Sequence, residues 1–205
     1  MCVPIPLVRK SNESQEITVT LPKLSIYSSS STFPAYLECQ ARAAVRMLWD
    51  DAYVDDINAP FVPEERHPQF IVIAQEHALI SYARVVWVDV KHAGETFKVY
   101  ALGDVFTYPA FRQRGYGRQV VDAATNLIRS DSLADAAILF TEPEHARFYG
   151  ASGWDHISLT NVTIGFDDEP VPHPYFSMML FISQRALRAR TAFETLPLHL
   201  PGYGW

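Results

Sequence analysis

Apolar and polar positions change period several times along the chain, and each change marks an element. Ile17 to Leu21 alternates Ile and Val with Thr, which predicts a first strand ending at Pro22. The run SSSST at Ser28–Thr32 reads as a loop. Leu37, Ala41, Ala44, Val45, Leu48 and Ala52 then recur at helical spacing, predicting an amphipathic helix from Pro34 to about Tyr53. A turn-rich acidic segment follows at Asp55–Pro60. Phe70–Ala74, Leu79–Val90 and Phe97–Thr107 read as three strands joined by turns at Glu76-His77 and around Gly94, an antiparallel meander. Beyond it Val120, Val121, Ala124, Leu127 and Ile128 line one face of a helix over Gly115–Arg129. Ala136–Phe140 is a short buried strand, and Pro143–Tyr149 a short helix closed by Gly150 or Gly153. Ile157–Ile164 and Phe176–Ile182 read as strands on either side of a loop rich in Asp and Pro. The order predicts an α+β fold on one mixed, mostly antiparallel sheet flanked by helices. No segment has the composition of a linker, so a single domain over 1–205 is expected, with 1–15 as a mobile tail.

Composition narrows the class without naming it. With 48% apolar and 20% charged residues over 205 positions, the chain is that of an ordinary globular protein large enough to bury a core unaided. The longest apolar runs carry an Arg or an Asp and fall short of a membrane span, so no membrane partner is expected. The start, MCVPIPLVRK, shows no apolar core of signal-peptide length, and Cys2 and Cys39 show no metal-type spacing; a reducing cytoplasm is the expected location. A net charge of −6 argues against nucleic acid and favours a cationic partner. The seven histidines show no ligand spacing, and no metal is expected.

The segment Val105 to Arg118 (VFTYPAFRQRGYGR) carries the clearest chemistry. A strand ends, Pro109 stops the ladder, and Arg112, Arg114 and Arg118 flank Gly115 and Gly117 at the opening of a helix. Glycines let the backbone approach a ligand, and first-turn amides with the helix dipole favour an anion, with pyrophosphate the natural occupant. A dinucleotide fingerprint would need glycine at Val120, and no P-loop triplet occurs.

Arg112-Gln113-Arg114-Gly115-Tyr116-Gly117 resembles the Gln/Arg-x-x-Gly-x-Gly/Ala signature of the GNAT superfamily of N-acetyltransferases, and Phe148–Trp154 (FYGASGW) resembles its Phe-Tyr…Gly-Phe/Trp motif. The resemblance implies a splayed central strand pair whose cleft takes acetyl-CoA as co-substrate. Backbone groups of Val105, Phe106 and Thr107 would meet the pantetheine and acetyl carbonyl, where an N–H could stabilise an oxyanion. Gln113, Tyr116 and the amides through Arg118 would hold the pyrophosphate. Tyr149 would protonate the departing thiolate, a phenol of pKa ~10 being close to a thiol in basicity; the alternative is a core aromatic. For the base, Asp104 is the acid available on the preceding strand. A turn or packing role for it, and a water relay in its place, stay open.

The stretch Ala52–Ile57 (AYVDDI) and Arg147–Trp154 are similar to segments of aminoglycoside 2'-N-acetyltransferases, and the chain ends Gly-Tyr-Gly-Trp where that family ends Gly-Asp-Val-Trp. The resemblance implies that Asp55, Asp56, Asp168 in its loop and the terminal Trp205 bind a small cationic amine. Gly103 and Tyr203 stand where that family has acids, which suggests fewer substrate charges, as in kasugamycin. A polyamine or peptide N-terminus, a non-catalytic acyl-CoA sensor, and a homodimeric state are left open by the sequence.

Overall fold

A computed structural model describes residues 20–49, 59–158, 161–166 and 168–202. Strand β1 (Lys23–Tyr27) leads into helix α1 (Ala35–Leu48), and the meander is β2 (Gln69–Gln75), β3 (Ala78–His92) and β4 (Glu95–Thr107). Helix α2 (Tyr116–Ser130), β5 (Ala136–Thr141) and α3 (Ala146–Gly150) follow, then β6 (Asp155–His156), β7 (Val162–Gly165), β8 (Val171–Pro172) and β9 (Phe176–Phe181). The described chain closes with α4 (Gln184–Arg188), α5 (Arg190–Thr195) and β10 (Leu198–Pro201). Among the described residues seven strands form the main sheet in the order β1-β2-β3-β4-β5-β9-β6, and β10-β7-β8 form a second, smaller sheet.

Strand alternation sends successive side chains to opposite faces. Phe70, Val72, Tyr82 and Val86 meet Leu37, Ala41 and Val45 of α1 on one face, together with Phe193, Leu198 and Leu200 from the C-terminal elements. Ile71, Ile73, Val85, Tyr100 and Leu102 meet Val120, Val121, Ala124 and Ile128 of α2 on the other. Each of the Val, Leu and Ile side chains among them contributes about 1.5–3 kcal/mol by burial, so both helices are fixed on the sheet by their apolar stripes.

Four expectations need correction. Thr20 and Leu21 lie outside any strand, Leu21 being 82% exposed, and β1 starts after Pro22 instead of ending before it; residues 17–19 lie outside the described residues. Helix α1 stops at Leu48, with Trp49 already non-helical, and 50–53 lie outside the described residues. The expected strand Ile157–Ile164 is not continuous: its second half, β7, leaves the main sheet and pairs in parallel with β10. That makes two sheets instead of one. No helix among the described residues is long and apolar enough to cross a membrane. The tail at 1–15 lies outside the described residues.

Candidate active site

The site begins where two parallel strands part. β4 and β5 pair only at Val99↔Ala136, Tyr100↔Ala137 and Ala101↔Ile138. β4 then runs on to Thr107 and β5 to Thr141 without pairing to each other, leaving a cleft between them. The cause is local. Between Arg84↔Gly103 and Tyr82↔Phe106, three steps on β4 are matched by two on β3, a β-bulge. Bulges bend and twist the strand that carries them, here away from β5.

Asp104 sits in that bulge with φ of 54°, the left-handed region where Asp is among the better-tolerated residues. Its carboxylate takes Arg84 Nε at 2.8 Å and Nη2 at 3.4 Å, both side chains almost wholly buried. Gly103 makes room for this pair, since a Cβ there would come 3.0 Å from Arg84 Nη2. Arg66, 8% exposed, donates Nη2 to the Pro201 carbonyl at 2.7 Å, joining β10 to this side of the sheet. Burial, then the nearby Arg84 charge, bring the Arg66 guanidinium down to about 10.

The far end of β4 is held by its own polar side chains. Ser81 Oγ donates to the Phe106 carbonyl at 2.9 Å and lies 2.8 Å from Thr107 Oγ1, and Arg112 Nε donates to the Thr107 carbonyl at 3.0 Å. Val105, Phe106 and Thr107 thus border the cleft on a fixed strand. A 3₁₀ turn at Pro109–Phe111 then delivers the chain to the start of α2.

Gly115 is the N-cap of α2 at φ of 81° and an ideal Cβ there meets nothing within 4 Å, so the turn is open on that side. The amides of Tyr116, Gly117 and Arg118 are first-turn donors that a helix leaves without intrahelical partners. Gly117 packs over Thr107 and Phe148, which places this amide cluster at the end of the β4 edge. Gln113 (φ 60°), Arg112 and Arg114 are exposed around it, Arg114 lying over Phe111. Arg118 is used differently from the expectation of a third anion-facing arginine: its guanidinium binds Asp122 at 2.8 Å and the Ala151 carbonyl, tying α2 to the end of α3.

Across the cleft, Tyr149 at the end of α3 hydrogen-bonds Thr141, the last residue of β5. Burial pushes its phenol up to about 12, the Thr141 hydrogen bond partly opposing this. The segment that carries it is anchored by Trp154, whose buried Nε1 donates to Thr125 Oγ1 at 3.0 Å. The site therefore brings together Val105–Thr107, the 112–118 turn and Tyr149. Asp104 is beside them but faces Arg84. Asp168 is exposed in the loop before β8, while Asp55, Asp56 and Trp205 lie outside the described residues. Among the described residues no group of three or more His, Cys, Asp or Glu could hold a metal ion.

The sequence reading missed Arg84 and Arg66, as well as His173 in the β8–β9 loop. Arg84 had a signal, a charge in the middle of the apolar run Leu79–Val90; a histidine between two prolines had none.

A parallel strand pair that parts beside an amide-rich helix start defines the acyl-CoA N-acyltransferase class of fold. The profile described as the acetyltransferase (GNAT) domain matches residues 29–157, and the chain belongs to that family of acyltransferases. Solved structures agree in fold. Escherichia coli ElaA is 16% identical with a TM-score of 0.54, over 78% of this chain and 99% of its own. An acyl-CoA N-acyltransferase from Pseudomonas aeruginosa is 13% identical with a TM-score of 0.54, over 78% and 99%. The E. coli GNAT N-acetyltransferase YhbS, solved in complex with CoA, is 12% identical with a TM-score of 0.52, over 91% of each chain. Among curated proteins no sequence matches significantly.

Proposed function

We propose that this protein transfers the acetyl group of acetyl-CoA to the amino group of a small cationic substrate bound at the β4–β5 cleft. The observation that carries this reading is one of placement: the open edge of β4 runs from the parting of the strands to the amide cluster of α2, with the Tyr149 phenol across from it.

A pyrophosphate fits the turn because Gly115 leaves space where a side chain would stand and because the donors there are backbone amides, with Arg112 and Arg114 beside them. The edge from Val105 to Thr107 offers backbone groups to an extended pantetheine arm in the manner of an added strand. A backbone N–H there also stabilises negative charge on the acetyl oxygen as the amine adds. Tyr149, protonated throughout the neutral range, supplies the proton that the departing sulfur needs. Asp104 acts in this scheme by holding the bulge through Arg84.

The substrate class rests on sequence. The acids at Asp55 and Asp56, Asp168, Trp205 and the similarity of 52–57 to aminoglycoside 2'-N-acetyltransferases support an aminoglycoside with few charges. The test is release of free thiol from acetyl-CoA with kasugamycin, spermidine or a short peptide with a free N-terminus. Turnover fastest with kasugamycin is the expected result. Preference for spermidine or the peptide would replace the substrate class, and tight CoA binding with no thiol released by any of the three would make the protein a sensor.

A further inference from the structure

The reading above supplies an acid for the sulfur and leaves the amine's proton without a destination. Asp104, the acid on the adjoining strand, is bound through both oxygens to Arg84 inside the protein, so its carboxylate is turned to that partner instead of to the cleft. Elsewhere around the cleft, the described residues hold one imidazole whose position fits.

His173 lies in the loop between β8 and β9, its backbone N–H donating to the Val162 carbonyl at 2.8 Å. Its ring stands edge-on to Phe140 at 4.2 Å and 4.6 Å from Tyr175. Phe140 is two residues beyond Ile138, the last position at which β5 pairs with β4. The imidazole therefore stands against a β5 residue that lies beyond the last β4–β5 pair, where β5 borders the cleft. Phe140 packs on the α1 face of the sheet, whereas Tyr149 packs on the α2 face. The two groups flank the cleft from opposite faces. Nε2 of His173 is buried and has no hydrogen-bond partner, a costly arrangement that a polar ligand atom or one water would relieve.

We propose that His173 Nε2 is the general base that accepts the substrate amine's proton, directly or through one water, on the side of the cleft opposite Tyr149. This inference rests on the transferase reading. The balance is complete. The amine nitrogen bonds to the acetyl carbon and the carbon–sulfur bond breaks with its electron pair going to sulfur. The Tyr149 proton goes to that sulfur, and the proton lost by nitrogen goes to Nε2. Solvent returns both groups to their starting states.

The surroundings suit a base. Burial lowers the ring below the ordinary 6.5, and no charged group among the described residues contributes to that shift. Among the described residues the rings packed on it are those of Phe140 and Tyr175, of which only Tyr175 titrates. At neutral pH the imidazole is uncharged and, with its proton on Nδ1, offers the Nε2 lone pair.

The experiment is the pH profile of kcat/KM for whichever of kasugamycin, spermidine and the peptide the wild type acetylates, in wild type, His173→Gln and His173→Ala. CoA affinity by calorimetry checks the fold of each variant. The wild type should carry an acid limb with a midpoint below 6.5, absent from both variants. Their kcat should fall by about 10²–10⁴-fold, and free imidazole should restore part of it in His173→Ala. Wild-type turnover with an unchanged limb in a variant that binds CoA normally overturns the role of His173 alone, as does a loss of rate that leaves the limb in place. No thiol release by wild type with any of the three amines overturns the transferase reading, and this inference with it.

Discussion

A phenol serves as a proton donor only while it keeps its proton, and Tyr149 is placed to keep it. Burial pushes its hydroxyl up to about 12, so the donor form persists well past pH 10. Tyr149→Phe retains the ring beside Phe148 and should leave fold and CoA affinity intact. The kcat should fall by about 10²–10⁴-fold in single-turnover kinetics. The wild type should show no alkaline limb from this residue below pH 10. A Phe variant with wild-type single-turnover rates would return Tyr149 to a packing role. The turn that carries the signature glycines and the arginine pair was legible in sequence because its spacing is fixed by a strand–turn–helix unit. The Arg84–Asp104 pair was not, because its members are 20 residues apart and meet only through a bulge that shifts the β3–β4 register.

At the scale of elements, the cleft depends on that bulge. Asp104→Asn keeps the shape of the side chain but leaves Arg84 buried with its counter-charge removed. Breaking a buried pair from one side costs about 3–5 kcal/mol, whereas replacing both partners by apolar groups is often neutral. Urea unfolding should therefore show a large loss for Asp104→Asn and partial recovery when Arg84→Met is added, which removes the unpaired charge while asparagine keeps the left-handed backbone. A single variant within about 1 kcal/mol of wild type would mean that the pair does not hold the bulge. The α1, β2–β5 and α2 elements followed from their periodicity, because each has a buried stripe long enough to impose one. The second sheet did not. β8 has two residues, β10 ends in a proline, and α4 and α5 are five and six residues long, broken at Ala189. Elements this short take their conformation from what they pack on, which for β7, α4, α5 and β10 is the α1 face of the main sheet and for β8 is β7.

For the molecule as a whole, the end of α2 is tied to the sheet by a carboxylate as well as by apolar contact. Asp131 at the end of α2 accepts Lys98 Nζ and Tyr100 OH, both at 2.7 Å, and the Leu133 amide at 2.9 Å. The Lys98 hydrogen bond above all, with Leu133 and Tyr100, holds its carboxyl down to about 2. Because the folded value lies below the unfolded one, this stabilisation is complete above about pH 4 and is lost as pH falls toward 2. Asp131→Asn should be less stable than wild type by about 1–3 kcal/mol at pH 7, with the gap closing in acid. A gap that stays constant with pH would remove Asp131 from the account of acid stability.

The central claim is that the glycine turn at the end of the β4 edge holds the pyrophosphate of acetyl-CoA. Calorimetric titration of CoA into wild type and Gly115→Val tests it most directly. The side chain at 115 would point into open space in the protein, on a backbone that L-residues adopt at a cost of about 1–2 kcal/mol, so the variant should fold while its new bulk obstructs the amide cluster. The account predicts measurable CoA binding by wild type and a loss of at least about tenfold in the variant. Equal affinity in a folded Gly115→Val protein would place CoA somewhere other than this turn.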